Sequence, residues 1–166
     1  MTLDEALDHW RRERGRLTDV DEWVDAGKPA APPSLQPSLA KYARLAKPEA
    51  KRALKALREE LAKDAFVRMF SAFEGALRAA FSEWLRCRCK TTSSSVAIDD
   101  ELPSIEGVLR IAAVLEPRFD PSRAGYVSNV REFRNKLVHG GFASPTPYDL
   151  EELHRKLSEV LTLFVT

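Results

Sequence analysis

The sequence predicts an all-α fold, an up-and-down antiparallel helical bundle preceded by a helical N-terminal arm. Apolar residues recur at intervals of three and four along most of the chain, which is the spacing of an amphipathic helix. Prolines and glycines cluster between these stretches, where they end helices. The connections are short in the second part of the chain, as is typical of antiparallel neighbours in a bundle.

Composition limits the classes of function. The chain has 166 residues, of which 44% are apolar and 31% charged, and this is the composition of a globular domain rather than a disordered chain. The net charge of +1 gives no overall attraction to nucleic acid, so such a partner must bind a local basic surface. No apolar run would span a membrane, and the first residues are acidic, unlike a signal peptide, so we expect a cytoplasmic protein without membrane contact. Its two cysteines are too few for a closed zinc site, and we expect neither metal nor cofactor.

The predicted arm covers residues 1–37, and the bundle covers residues 38–166. A first helix begins close to the N-terminus, and a second short helix is predicted to start at Thr18. Four prolines between Lys28 and Pro37 then predict a linker. We expect the arm to pack on the bundle or on a partner.

The longest helical pattern runs from Pro48 to Arg88 and carries two adjacent apolar stripes, which indicates burial on more than one side. The second stripe comprises Phe66, Phe70, Phe73, Leu77, Phe81 and Leu85. Forty helical residues would span about 60 Å, whereas a compact core is closer to about 35 Å across. Either the helix breaks near Lys63 and Asp64, with Asp64 capping a new helix, or one end projects beyond the core, and we favour the break. A serine-rich loop, 90–100, is predicted to follow.

Three more helices complete the predicted bundle. Ser104 opens a helix that Pro117 closes, and Asp120 begins the next one. This helix ends after His139, because the glycine pair that follows supplies the positive φ of a helix stop. A last helix follows a proline-bearing turn at 144–147 and carries an apolar face that ends at Phe164.

Polar side chains of three kinds cluster just before the glycine stop. Arg134, Asn135 and His139 place a cation, an amide and a titratable imidazole within two turns. At about 100° per residue, Arg134 and His139 lie about 140° apart, so only an unwound last turn would let both reach one ligand. Five basic residues exceed the two acids of this region and predict a basic strip: Arg118, Arg123, Arg131, Arg134 and Lys136.

These residue types suit RNA cleavage, because RNA supplies its own nucleophile, the 2′-hydroxyl. His139 suits the task of taking the hydroxyl proton, since imidazole titrates near neutrality. Arg134 suits stabilisation of the scissile phosphate, since a guanidinium matches phosphate oxygens in pairs. Asn135 would orient the phosphate or the imidazole by hydrogen bonding. One chain offers one such histidine, so a two-fold dimer with both motifs at its interface would supply the second proton carrier.

The run from Arg134 to His139, an arginine followed by a polar residue and then a histidine five positions on, resembles the signature of the HEPN superfamily. The resemblance implies an all-helical, usually dimeric domain that cleaves RNA without a metal and leaves cyclic-phosphate ends. It also implies an acidic residue on a facing helix, which makes Glu74 a candidate partner of Arg134.

We therefore expect a metal-independent endoribonuclease of toxin or phage-defence type, a homodimer with RNA as substrate and a cognate antitoxin or defence protein as a candidate partner. Arg131, Lys136 and Arg123 are the candidate RNA-binding residues beside the motif. Two alternatives stay open: a non-catalytic helical module that binds nucleotide, RNA or protein through the basic strip, and a purely structural dimerisation domain. The motif also has a purely structural alternative, in which Arg134 pairs with a neighbouring acid and His139 caps helix carbonyls.

Overall fold

The computed structural model describes residues 1–29, 36–89, 104–140 and 146–164, and this part of the chain contains six helices and no strand. The helices are α1 (Leu3–Asp25), α2 (Gln36–Ala43), α3 (Lys47–Cys89), α4 (Ile105–Leu115), α5 (Pro121–Val138) and α6 (Leu150–Thr162). The predicted all-α class is confirmed. Among the described residues, no helix has both the length and the apolar character needed to cross a membrane. The predicted loop at 90–100 and the first half of the turn at 144–147 lie outside the described residues.

Helix α1 is continuous, so the predicted start of a second helix at Thr18 is wrong. At the N-terminus, the Thr2 hydroxyl accepts from the Glu5 N–H at 3.1 Å, and the Glu5 carboxylate accepts from the Thr2 N–H at 2.7 Å. This reciprocal capping box begins α1. The Thr18 hydroxyl instead donates to the Arg14 carbonyl, one turn back, at 3.0 Å. Such a bond forms inside a helix, where a threonine satisfies its hydroxyl without capping anything.

Helix α2 begins at Gln36, inside the predicted linker, and was not predicted. Pro37 lies in its first turn, where the missing N–H has no helical partner to lose. From the end of α1, the Lys28 ammonium donates to the carbonyls of Tyr42 at 2.7 Å and of Leu45. These carbonyls lie at the end of α2, so Lys28 satisfies acceptors that the helix leaves open.

Helix α3 runs unbroken for 43 residues, and the predicted break at Lys63 and Asp64 is therefore wrong. Asp64 pairs with Arg68 at 2.6 Å, one turn further along, which is an interaction that a continuous helix provides. At a length of about 65 Å, α3 extends beyond the main core, and α1 and α2 cover its first half. A second buried cluster forms there: Val20, Val24, Tyr42, Ala50 and Leu54.

The main core lies on the phenylalanine stripe of α3. Phe66, Phe70, Phe73 and Phe81 are fully buried, and apolar residues of α1, α4, α5 and α6 complete the cluster. Helix α1 contributes Leu3, Ala6, Leu7 and Trp10. The first half of the predicted arm thus shares the main core, whereas a domain boundary at residue 37 stays a prediction.

Contacts between the helices fix their directions. Phe66 lies against Tyr148 and Phe81 against Phe164, so α6 runs parallel to α3. Phe66 also lies against Phe133, near the end of α5, while Arg118, just before α5, donates to the Leu163 carbonyl beside Phe164. Helix α5 is therefore antiparallel to α3.

Helix α4 runs in the same direction as α3, which differs from the predicted order. Five residues join α4 to α5, and Glu106 near the start of α4 pairs with Arg131 in the second half of α5. These two helices are antiparallel, so α3 and α4 run in the same direction. An up-and-down bundle reverses direction at every connection, so the predicted order is wrong between α3 and α4.

Candidate functional site

The motif lies on the last turn of α5, as predicted. Asp120 caps the start of α5 by accepting from the Ser122 N–H at 2.8 Å. At the other end, Gly140 has a φ of +76°, which ends the helix after His139. The His139 N–H still donates to the Asn135 carbonyl at 3.0 Å, so the last turn is regular rather than unwound. The separation of about 140° between Arg134 and His139 therefore applies, and within one chain they lie on opposite sides of α5.

Arg134 lies on the core-facing side of α5. It follows buried Val127 and Val130 at helical spacing and is itself half-buried. Its Nη1 donates to Asn135 Oδ1 at 3.2 Å, while its Nε is buried and has no hydrogen-bond partner. In the described part of the chain no ion pair joins Arg134 to half-buried Glu74 or to another acid. The guanidinium thus retains donors for a ligand.

His139 projects on the solvent side. It is exposed, and its ring makes no hydrogen bond with any residue that the structure describes. The alternative in which this ring caps helix carbonyls is therefore not realised there. Its neighbour Val138 is also half exposed, at 50%, and is one of several large apolar side chains that the described surface exposes, Val114 more than Val138. The solvent-exposed end of α5 therefore presents the His139 imidazole next to the apolar side chain of Val138.

Ion pairs neutralise much of the predicted basic strip. Three pairs form: Arg118 with Glu116, Arg131 with Glu106, and Lys136 with Glu132. Two of these acids lie outside the stretch 118–139, so a charge count along the motif region missed them. Of the five basic residues, Arg123 and Arg134 form no ion pair among the described residues, although the charge of Arg123 helps to lower the pKa of Asp120. Fewer cations are therefore available to a ligand than the sequence predicts, and the two that remain are Arg123 and Arg134.

Aromatic packing holds the motif turn against the bundle. Phe133 contacts Phe66 of α3 edge-on at 5.2 Å between ring centres, and it contacts Tyr148 at 5.4 Å. Tyr148 also lies 6.3 Å from Tyr126, earlier on α5. Burial, followed by the nearby Glu132 charge, raises the pKa of Tyr148. The backbone that carries Arg134 is thus fixed on the side of α3 and α6. The sequence interpretation did not single out these tyrosines, since neither lies in a motif.

Comparison with protein-family models, with curated proteins and with solved structures finds no match for this chain. Within the described residues there is also no group of three metal-ligating side chains that would hold a metal ion.

Proposed function

We propose that this protein is a metal-independent endoribonuclease that uses Arg134, Asn135 and His139. The observation that carries the proposal is that the half-buried guanidinium of Arg134 forms no ion pair with an acid among the described residues. Its Nε is buried without a hydrogen-bond partner, which costs about 1–3 kcal/mol. The terminal N–H groups of the guanidinium supply the donors and the charge that phosphate recognition needs. Asn135 already bonds to Arg134 and would hold the guanidinium in place.

The active site would be shared between two chains of a HEPN-like homodimer. Arg134 and His139 lie on opposite sides of one α5, so a single chain does not aim both at one phosphate. A two-fold axis near the end of α5 would bring His139 of each chain towards Arg134 of the other. The exposed Val138 supports this arrangement, because the dimer would cover it.

Cleavage in this site follows acid–base chemistry. One His139 takes the proton of the 2′-hydroxyl, whose oxygen attacks the adjacent phosphorus. Arg134 stabilises the charge on the phosphate oxygens while the bond to the 5′-oxygen breaks. The second His139, protonated, gives its proton to that leaving oxygen. The products are a 2′,3′-cyclic phosphate and a 5′-hydroxyl, and a toxin or phage-defence role follows from the same HEPN resemblance.

The test is RNA degradation in EDTA by the parent protein and by His139→Ala. Loss of general acid–base catalysis should slow cleavage by about 10²–10⁴-fold. His9→Ala is a matched control, because His9 lies on α1, away from the motif. Growth arrest on expression should likewise disappear with His139→Ala and persist with His9→Ala. A His139→Ala protein that cleaves as fast as the parent would end this assignment.

A second candidate is a non-catalytic helical module that binds RNA or a nucleotide. The regular last turn of α5 favours this candidate, because it keeps Arg134 and His139 on opposite sides of the helix. Arg134 would then bind a ligand without help from His139 of the same chain. On this interpretation neither the parent nor Arg134→Ala cleaves RNA, and Arg134→Ala binds it more weakly. A purely structural dimerisation domain would show no affinity for RNA even at low salt, where phosphate contacts are strongest.

A further inference from the structure

A separate cavity lies at the other end of α5, where its first turns face the second half of α6. Its volume is about 370 Å³, within the range of small-molecule sites. The polar residues that line it are Asp120, Ser122, Arg123, Tyr126, Lys156 and Glu159. Arg123 and Arg134 are eleven residues apart, about 16 Å along the helix axis. This α5–α6 cavity is therefore distinct from the motif end of α5.

The two acids in the cavity are already bonded within the protein. Both oxygens of Asp120 accept from Ser122, one from its N–H at 2.8 Å and the other from its hydroxyl at 2.6 Å. These bonds lower the pKa of Asp120. Glu159 pairs with Arg155, one turn back on α6. The acids of this cavity thus have protein partners before any ligand enters.

The two cations of the cavity are Arg123 and Lys156. Arg123 is half-buried and forms no ion pair in the part of the chain that the structure describes, although its charge helps to lower the pKa of Asp120. The Lys156 ammonium lies 4.5 Å from the centre of the Tyr126 ring and 2.8 Å from a Glu152 oxygen. An anionic ligand with two negative charges would therefore meet two cations from opposite walls, one from α5 and one from α6.

Tyr126 adds a hydroxyl donor and the start of an aromatic row. Burial raises the pKa of Tyr126 to about 12, so its hydroxyl stays protonated at neutral pH. Its ring contacts Tyr148, and Tyr148 contacts Phe133. All three rings are half-buried rather than sealed in the core. Cations beside partly accessible aromatic rings are the combination with which proteins hold the phosphates and bases of single-stranded nucleic acids.

We propose that the α5–α6 cavity binds the terminal phosphate of a nucleoside phosphate, with Arg123 and Lys156 as the phosphate ligands and the aromatic row beside the base. A terminal phosphate carries up to two negative charges, which matches two cations better than a carboxylate would. The phosphate belongs either to a free nucleotide or to the 5′ end of an RNA strand. Binding here does not require cleavage at His139.

Calorimetric titration with adenosine 5′-monophosphate, with adenosine as the uncharged comparison, tests the proposal. The monophosphate should bind more tightly than adenosine. Arg123→Gln should weaken its binding by about ten-fold or more, the usual effect of losing a charge-assisted hydrogen bond. Lys156→Gln should act in the same direction. Arg110→Gln is the matched control, since Arg110 is an exposed arginine on α4 that does not line the cavity.

The source of the phosphate is distinguished with 2′-O-methyl oligonucleotides, which lack the 2′-hydroxyl nucleophile and are not cleaved. Tighter binding of the 5′-phosphorylated strand than of the 5′-hydroxyl strand assigns the cavity to RNA ends. Equal binding of both strands, with tight binding of the monophosphate, assigns it to a free nucleotide.

Two results would overturn the proposal: no binding of the monophosphate to the parent protein at millimolar concentration, or unchanged binding by both Arg123→Gln and Lys156→Gln. Circular dichroism and thermal melting of each variant without ligand establish that the fold is intact. If Arg123→Gln does not fold, Lys156→Gln, whose residue lies on α6, gives the same test. Failure of the His139→Ala cleavage experiment leaves these measurements unaffected, so the two proposals fail separately.

Discussion

Replacement of Arg134 by methionine distinguishes a ligand-binding arginine from a scaffold arginine. Methionine keeps an unbranched apolar stem but removes the buried Nε that has no hydrogen-bond partner. Removing an unsatisfied buried donor returns about 1–3 kcal/mol, while losing the bond to Asn135 costs about 0.5–1.5 kcal/mol. The net expectation for Arg134→Met ranges from a loss of about 0.5 kcal/mol to a gain of about 2.5 kcal/mol. In a chain of this size, the full gain raises Tm by roughly 5–10 °C.

The assay combines urea unfolding, followed by circular dichroism, with RNA cleavage in EDTA. The proposed function requires that Arg134→Met lose cleavage while keeping or gaining stability, which is the opposite of the usual effect of a half-buried substitution. An arginine that holds an acidic partner would behave differently, because breaking a buried pair costs about 3–5 kcal/mol. Destabilisation by more than about 1 kcal/mol, together with intact cleavage, would refute the reasoning.

Three further predictions concern the frame around the site. Leu54→Ala should cost about 2–4 kcal/mol in urea unfolding, because Leu54 fills the second cluster; a loss under 1 kcal/mol would mean that α1 and α2 do not stabilise the first half of α3. Lys51 lowers the pKa of Asp21 below its usual 3.8, so Asp21→Asn should destabilise the protein at pH 7. That difference from the parent should shrink as the pH falls through the lowered pKa, and a constant difference down to pH 2 would contradict it. Glu106→Gln frees Arg131 and should strengthen RNA binding at low salt in a filter-binding assay, while unfolding changes by less than about 1 kcal/mol.

Local signals in the sequence predict where several helices start and stop. Ser104 and Asp120 open α4 and α5, and Gly140 ends α5 with a positive φ, all at the predicted positions. Each of these signals acts through bonds to residues within one turn, so the sequence alone contains them. For Thr18 and Asp64, by contrast, the local sequence predicts a helix start that the structure does not have.

Thr18 and Asp64 look like helix caps in sequence but lie inside helices. A threonine or aspartate can bond either to the backbone of a new helix or to a residue one turn away in a continuing one. The choice depends on whether the neighbouring turns are buried. Here α1 and α3 cover one another along the first half of α3, which makes continuation favourable for both. That packing is a contact between distant parts of the chain, and periodicity within either helix does not reveal it.

The same limit applies to the candidate site, and it affects Arg131 and Arg134 differently. Sequence spacing places both on the motif helix and gives them the same role. The partner of Arg131 is Glu106, from another helix, and only the tertiary structure brings the two together. Arg134 meets no such acid among the described residues. Charge counted along a helix therefore identifies candidate ligand-binding residues, while the packing of neighbouring helices decides which of them stay available.

The inner face of helix α5 has an apolar middle and, towards each end, an arginine that forms no ion pair among the described residues. Arg123 and Arg134 are separated by three turns and about 20°, so they lie on nearly the same face as buried Val127 and Val130 between them. A face selected only for packing would carry apolar residues at all four positions, since a half-buried guanidinium without an acid reduces stability. Residues that break the local pattern at a cost in stability are expected where a ligand binds. The two proposals thus place an anion site at each end of α5. A double variant, Arg123→Met with Arg134→Met, should be at least as stable as the parent while binding neither nucleoside phosphate nor RNA.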